Sequence, residues 1–78
     1  MEQRLADHAP GTRVTVLGVV GGDAAARRLQ ELGFTPGTEV EVVRRAPLRD
    51  PVIYRIKGYE ICLRSKQAAT VRTALSVP

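Results

Sequence analysis

The stretch DAAARRLQELGFTPGTEVEVV, residues 23–43, decides the fold. The Asp23 carboxylate can accept from the free amides of a first helical turn, so this residue reads as an N-cap. Ala24 to Leu32 are helix formers throughout. Ala25, Leu29 and Leu32 recur at i, i+4 and i+7, a narrow apolar face that is shallow at its alanine end. Gly33 is free to take the left-handed conformation that ends a helix, and in a Schellman ending Phe34 touches Leu29. Pro36 and Gly37 then suit the two central positions of a type II turn between Thr35 and Thr38. From Glu39 to Arg44 the period changes to two, with Val40 and Val42 facing inward. One short helix turns directly into a strand.

Working upstream, Leu5 to His8 reads as a single helical turn closed by Pro10-Gly11, followed by a strand from Thr12 to Val20 with Val14 and Val16 inward. Gly21-Gly22 ends that strand. Downstream, Ala46-Pro47-Leu48-Arg49-Asp50-Pro51 must be a loop, because two prolines do not sit in a central strand. Val52 to Lys57 alternates again with Val52, Tyr54 and Ile56 on one face. Gly58 marks a tight reversal, and Tyr59 to Arg64 returns with Tyr59, Ile61 and Leu63 inward. Ser65 caps one turn through Ala68, and a last strand runs around Thr70 to Thr73.

This pattern predicts a mainly β fold: a single domain, residues 1–78, forming an SH3-like small antiparallel barrel of about five strands, with one short helix between the first and second. The expected core is Val14, Val16, Leu29, Leu32, Phe34, Val40, Val42, Tyr54, Ile56, Ile61 and Leu63. An open sheet of this size would leave an exposed edge and too thin a core.

Composition narrows the function. With 78 residues there is little room for a substrate cavity once a core is filled, so an enzyme is not expected and no catalytic residue is assigned. One cysteine forbids an internal disulfide, and with one histidine it cannot complete the usual four-ligand zinc site within one chain. No cofactor is required; a divalent transition metal has no ligand cluster within one chain, while a metal held between chains stays open, as does the oligomeric state. No apolar run approaches the roughly 18 residues that span a bilayer. The opening MEQRLADHAP lacks the pattern of a signal peptide, so a cytoplasmic location is expected.

Twelve Lys and Arg against eight Asp and Glu give a net charge of +4. Such a balance suits nucleic acid, an anionic membrane or an acidic protein partner. The cations are dispersed, however, and the aromatics Phe34, Tyr54 and Tyr59 all fall at inward or capping positions, which leaves no stacking platform. A basic nucleic-acid-binding barrel is kept only as the alternative. Cys62 lies on the face opposite the core and reads as a packed or neutral residue. His8, beside a Pro-Gly turn, reads as a solvated side chain. Glu39 and Glu41 form the wet side of their strand.

Three motifs go further: RLQELGFTPG at 28–37, APLRDP at 46–51 and GYEICLR at 58–64. Together they resemble the FeoA family, small cytoplasmic partners of the bacterial ferrous iron transporter FeoB, and the resemblance covers nearly the whole chain. The same sheet pattern closes iron-dependent repressors, but DNA-binding helices are missing here. Two positions depart from the family: Arg49, where glycine is frequent, and Ser65-Lys66-Gln67, where acidic residues are usual. The resemblance implies an SH3-like barrel that assists iron uptake by binding a FeoB-type transporter, meeting the membrane only through it and no nucleic acid; activation, regulation and assembly all remain open. The expected partner surface joins Pro47, Leu48, Arg49, Asp50 and Pro51 to the helix ending at Leu32, Gly33 and Phe34. For Leu48 two readings stand, an exposed apolar anchor or a plug in the barrel end.

Overall fold

A computed structural model describes residues 2–76. Six strands form one antiparallel sheet: β1 (Gln3–Arg4), β2 (Arg13–Val19), β3 (Glu39–Arg45), β4 (Val52–Ile56), β5 (Tyr59–Leu63) and β6 (Val71–Leu75), in the order β1-β6-β2-β3-β4-β5. Helix α1 (Ala24–Glu31) joins β2 to β3, and α2 (Ser65–Ala68) joins β5 to β6. A 3-10 turn at Leu5–Asp7 packs against α2 and closes one side of the curled sheet. The overall extents, 31 × 29 × 25 Å, are those of a barrel and not of a flat sheet.

The local signals act as their chemistry requires. Asp23 accepts from the amide of Ala26 at 2.9 Å and starts α1. At the other end Phe34 N donates to Leu29 O at 3.1 Å and Gly33 N to Gln30 O at 3.0 Å, the paired bonds of a Schellman ending. Gly33 holds φ at 117°, a region that a side chain adopts only under strain. The turn after it brings Thr38 N to Thr35 O at 3.1 Å, with Gly37 at φ 89°. Between β4 and β5 the reversal takes two residues, Lys57 and Gly58, both with positive φ, as a type I′ hairpin demands.

Val14, Val16, Leu29, Phe34, Val40, Val42, Tyr54, Ile56 and Leu63 are buried as expected, Ile61 is half-buried against them, and Leu5, Val52, Ala68 and Val71 complete the core. Burying each of the larger side chains contributes about 1.5–3 kcal/mol. Several expectations are corrected. A sixth strand exists, because Gln3–Arg4 pairs with Arg72 and Thr73 of β6; two polar residues carry no period to reveal it. Helix α1 therefore lies between the second and third strands. Its buried face is Ala26 and Leu29, with Ala25 exposed and Leu32 only half-buried. Tyr59 is not inward but 51% exposed, its hydroxyl donating to Leu32 O at 3.2 Å. That hydroxyl satisfies a carbonyl at the end of α1, where the last carbonyls have no helical donor. The last strand runs two residues beyond Thr73, to Leu75.

The Schellman ending generates a test. A Cβ at position 33 would lie 3.3 Å from Ile56 Cδ1 and inherit the positive φ. Gly33→Ala is expected to lose about 1–3 kcal/mol of stability by urea unfolding, whereas the same change at Gly22, which has open space and an ordinary φ, is expected to cost nothing measurable.

Candidate functional site

The loop between β3 and β4 has a shape that its sequence enforces. Ala46 N donates to Pro51 O at 3.0 Å and closes the neck. Arg49 N donates to Ala46 O at 2.7 Å, a turn with Pro47 at the position that favours its fixed φ. Arg49 then adopts φ 70°, a left-handed conformation that costs a non-glycine residue about 1–2 kcal/mol. Glycine would remove that cost. The Asp50–Pro51 peptide is cis. Asp50 Oδ1 accepts from Ser65 N at 2.9 Å, so the loop itself caps the start of α2, a role the sequence reading gave to Ser65.

Leu48 is 91% exposed at the tip, which removes the plug reading. Pro47, Arg49 and Asp50 are exposed beside it and Pro51 is half-buried. The other half of the expected surface lies elsewhere. Gly33 abuts Ile56, the last residue of β4, whereas the loop enters at Val52, its first. At about 3.3 Å per residue the two are separated by roughly 13 Å along that strand. Gly33 and Phe34 are moreover buried. The structure thus gathers Pro47 to Pro51 into one projection and leaves Leu32, Gly33 and Phe34 to build the fold.

His8 overturns its expected solvated state. It is 5% exposed, with Nε2 2.8 Å from Thr73 Oγ1. Thr73 spends its single hydroxyl proton on Gln3 O at 2.8 Å, so Oγ1 accepts and His8 Nε2 must be the donor. The His8 carbonyl accepts from Arg45 Nη2 at 2.6 Å, which ties the 3-10 turn to the base of the projecting loop. Burial holds the imidazole below its ordinary 6.5, although the neighbouring Asp7 charge pulls the other way. Tyr54, buried at the same end, is pushed up to about 12 by burial and stays a neutral phenol. Cys62 is exposed opposite Ile53 on β5. Among the described residues no three of His, Cys, Asp and Glu gather as a metal would require.

A second feature escaped the sequence reading. Helices α1 and α2 flank a groove of about 300 Å³ lined by Asp23, Ala25, Arg28, Leu29, Lys66, Gln67 and Thr70. The small, exposed Ala25 is the signal that could have pointed to it, since a larger residue there would fill the space.

A curled six-stranded sheet of this size, with one helix of two turns and a projecting loop, is an SH3-like module. Residues 3–74 match the FeoA domain family, and the chain belongs to it. It is 39% identical over 72 residues to the Fe(2+) transport protein A/Fe(2+) transporter FeoB fusion protein of Porphyromonas gingivalis, covering 92% of this chain and 8% of that protein. The match thus spans a small part of that relative's length. Its structure superimposes on an FeoA-like protein of Clostridium acetobutylicum with a TM-score of 0.90 at 26% identity, covering 99% of this chain and 90% of the other. It also superimposes on the zinc-complexed FeoA of Stenotrophomonas maltophilia, a procaryotic SH3 domain protein, with a TM-score of 0.82 at 32% identity, covering 92% and 89%.

The buried imidazole makes a pH test. Because the folded state depresses its proton affinity, the unfolded chain binds the proton first as pH falls. Stability is therefore expected to be full above about 6.5, the ordinary value, and to decline on acidification until the lower folded value is passed. His8→Gln, which keeps an N–H for Thr73, is expected to flatten that decline in urea melts recorded across the window.

Proposed function

We propose that this protein is a cytoplasmic accessory component of ferrous iron transport that acts by binding a FeoB-type transporter, with no catalysis of its own. The observation that carries this reading is the fusion: in the Porphyromonas gingivalis relative, a stretch like this chain is joined to FeoB itself. Covalent joining raises the local concentration of one partner at the other, which is useful when the two work in contact. Among the described residues no helix is long and apolar enough to cross a membrane, which agrees with a module that reaches the membrane through its partner.

The contact surface in this reading is the projection Pro47–Pro51, with Leu48 as its apolar anchor. Fixing the loop in advance by two prolines, the Ala46–Pro51 neck and the Asp50–Ser65 bond lowers the entropy lost on docking. In this reading the transporter meets Pro47, Leu48 and Arg49, while Asp50 and Pro51 hold the loop. Zinc accompanies the Stenotrophomonas maltophilia structure; in this chain no three of His, Cys, Asp and Glu gather among the described residues.

Leu48→Asp tests the reading. Since the side chain is almost fully exposed, the melting temperature is expected to stay unchanged, with a stability change within about 0.5 kcal/mol. Co-purification with the detergent-solubilised, full-length FeoB-type transporter and support of iron uptake are expected to be lost. Unchanged binding with unchanged stability would remove the loop from the contact surface.

A further inference from the structure

We infer that the partner surface which receives Leu48 is acidic: an apolar socket rimmed by carboxylates. This rests on the docking role proposed for the loop and adds to it the chemistry of what is docked. The inference comes from how this chain spends its charges.

Eight acidic residues are available. Glu2 pairs with Arg72, and Glu41 and Glu60 share Arg55. Asp7 accepts from Arg4 N, Asp23 from Ala26 N and Asp50 from Ser65 N. Among the described residues only Glu31 and Glu39 are left over. Glu31 ends α1 beside the carbonyl that Tyr59 covers, and Glu39 precedes Val40, which pairs with Ile56. Both remaining carboxylates thus sit at the hairpin end of the barrel, away from the loop.

The loop end carries the opposite sign. Arg45, Val52 and Leu63 lie in one row across the sheet, so Arg44 and Arg64 flank the loop from neighbouring strands. Arg49 is in the loop, and the Asp50–Ser65 bond draws in Lys66 of α2. Arg44, Arg49, Arg64 and Lys66 are all exposed, and none takes part in the ion pairs found among the described residues. Among the described residues the carboxylates nearest these cations, Asp50 in the loop, Asp7 in the 3-10 turn packed on α2 and Asp23 across the groove from Lys66, are each already bonded to a backbone amide. An exposed leucine therefore shares its end of the barrel with a set of four exposed cations. A basic or neutral partner would have to desolvate or repel those cations, whereas an acidic rim is attracted to them and steered onto them.

The experiment measures binding of the full chain to the detergent-solubilised, full-length FeoB-type transporter by interferometry. Affinity is expected to fall by about 10-fold or more between ~50 mM and ~500 mM salt, mostly through the association rate. Arg49→Gly, which also removes the positive-φ strain, is expected to weaken binding about 2–5-fold, and Arg44→Glu with Lys66→Glu about 10–100-fold. Lys57→Glu, a single charge reversal at the hairpin end, is expected to leave binding within about 2-fold, whereas Arg44→Glu alone is expected to weaken it clearly beyond that. Binding that ignores both salt and the loop-end reversals would overturn the acidic socket while leaving the transporter as partner. An equal loss with Lys57→Glu would overturn it too, as an effect of net charge alone. Failure of the unaltered chain to bind the transporter, with capture by phosphatidylglycerol vesicles instead, would overturn both the socket and the partner.

Discussion

The fold depends on how α1 stops. Two backbone bonds, Phe34 N to Leu29 O and Gly33 N to Gln30 O, reverse the chain within one residue and deliver the only phenylalanine of the sequence into the centre of the barrel. In a chain of 78 residues the core is small, so one misplaced aromatic is a large fraction of it. The same reversal aims Thr38 and Val40 along β2, since Val16 N reaches Thr38 O at 2.8 Å before the regular pairing begins. The left-handed glycine is what permits the reversal, and the Tyr59 hydroxyl secures the carbonyl it leaves behind.

The projecting loop is built into this frame and not hung from it. Its neck bond, its turn and the Asp50–Ser65 contact attach it to β3, β4 and α2 together, while Arg45 reaches from its base to the His8 carbonyl. Such a pre-shaped protrusion suits the docking role proposed above, because the scaffold bears the ordering cost before a partner arrives. The strain at Arg49 belongs to the same account: the chain tolerates a left-handed arginine where the backbone would prefer glycine, and gains an exposed cation beside Leu48.

Local chemistry made much of this legible in advance. The Asp23 cap, the Gly33 ending, the Pro36-Gly37 turn and the alternating valines each follow from a few adjacent residues, and each stands where the sequence put it. What escaped were relations between distant residues. His8 looked solvated because nothing near it announces Thr73, 65 positions away. Tyr59 fits the alternation of β5, but alternation cannot tell that the hairpin end meets a helix terminus instead of the core. The choice between Ala25 and Ala26 turned on the rotation of a short helix whose face is marked by only one large buried residue. The expected surface divided for a similar reason: Pro47–Pro51 and Leu32–Phe34 lie at the two ends of β4, a separation that only the sheet register reveals.

The pairing of Gln3 with Thr73 has an architectural consequence. Antiparallel neighbours at a sheet edge bring the entry and the exit of the barrel to the same border, so a polypeptide tethered beyond either strand departs from one place. Such a unit can be spliced to a larger protein at its front or its back with the same reach and orientation.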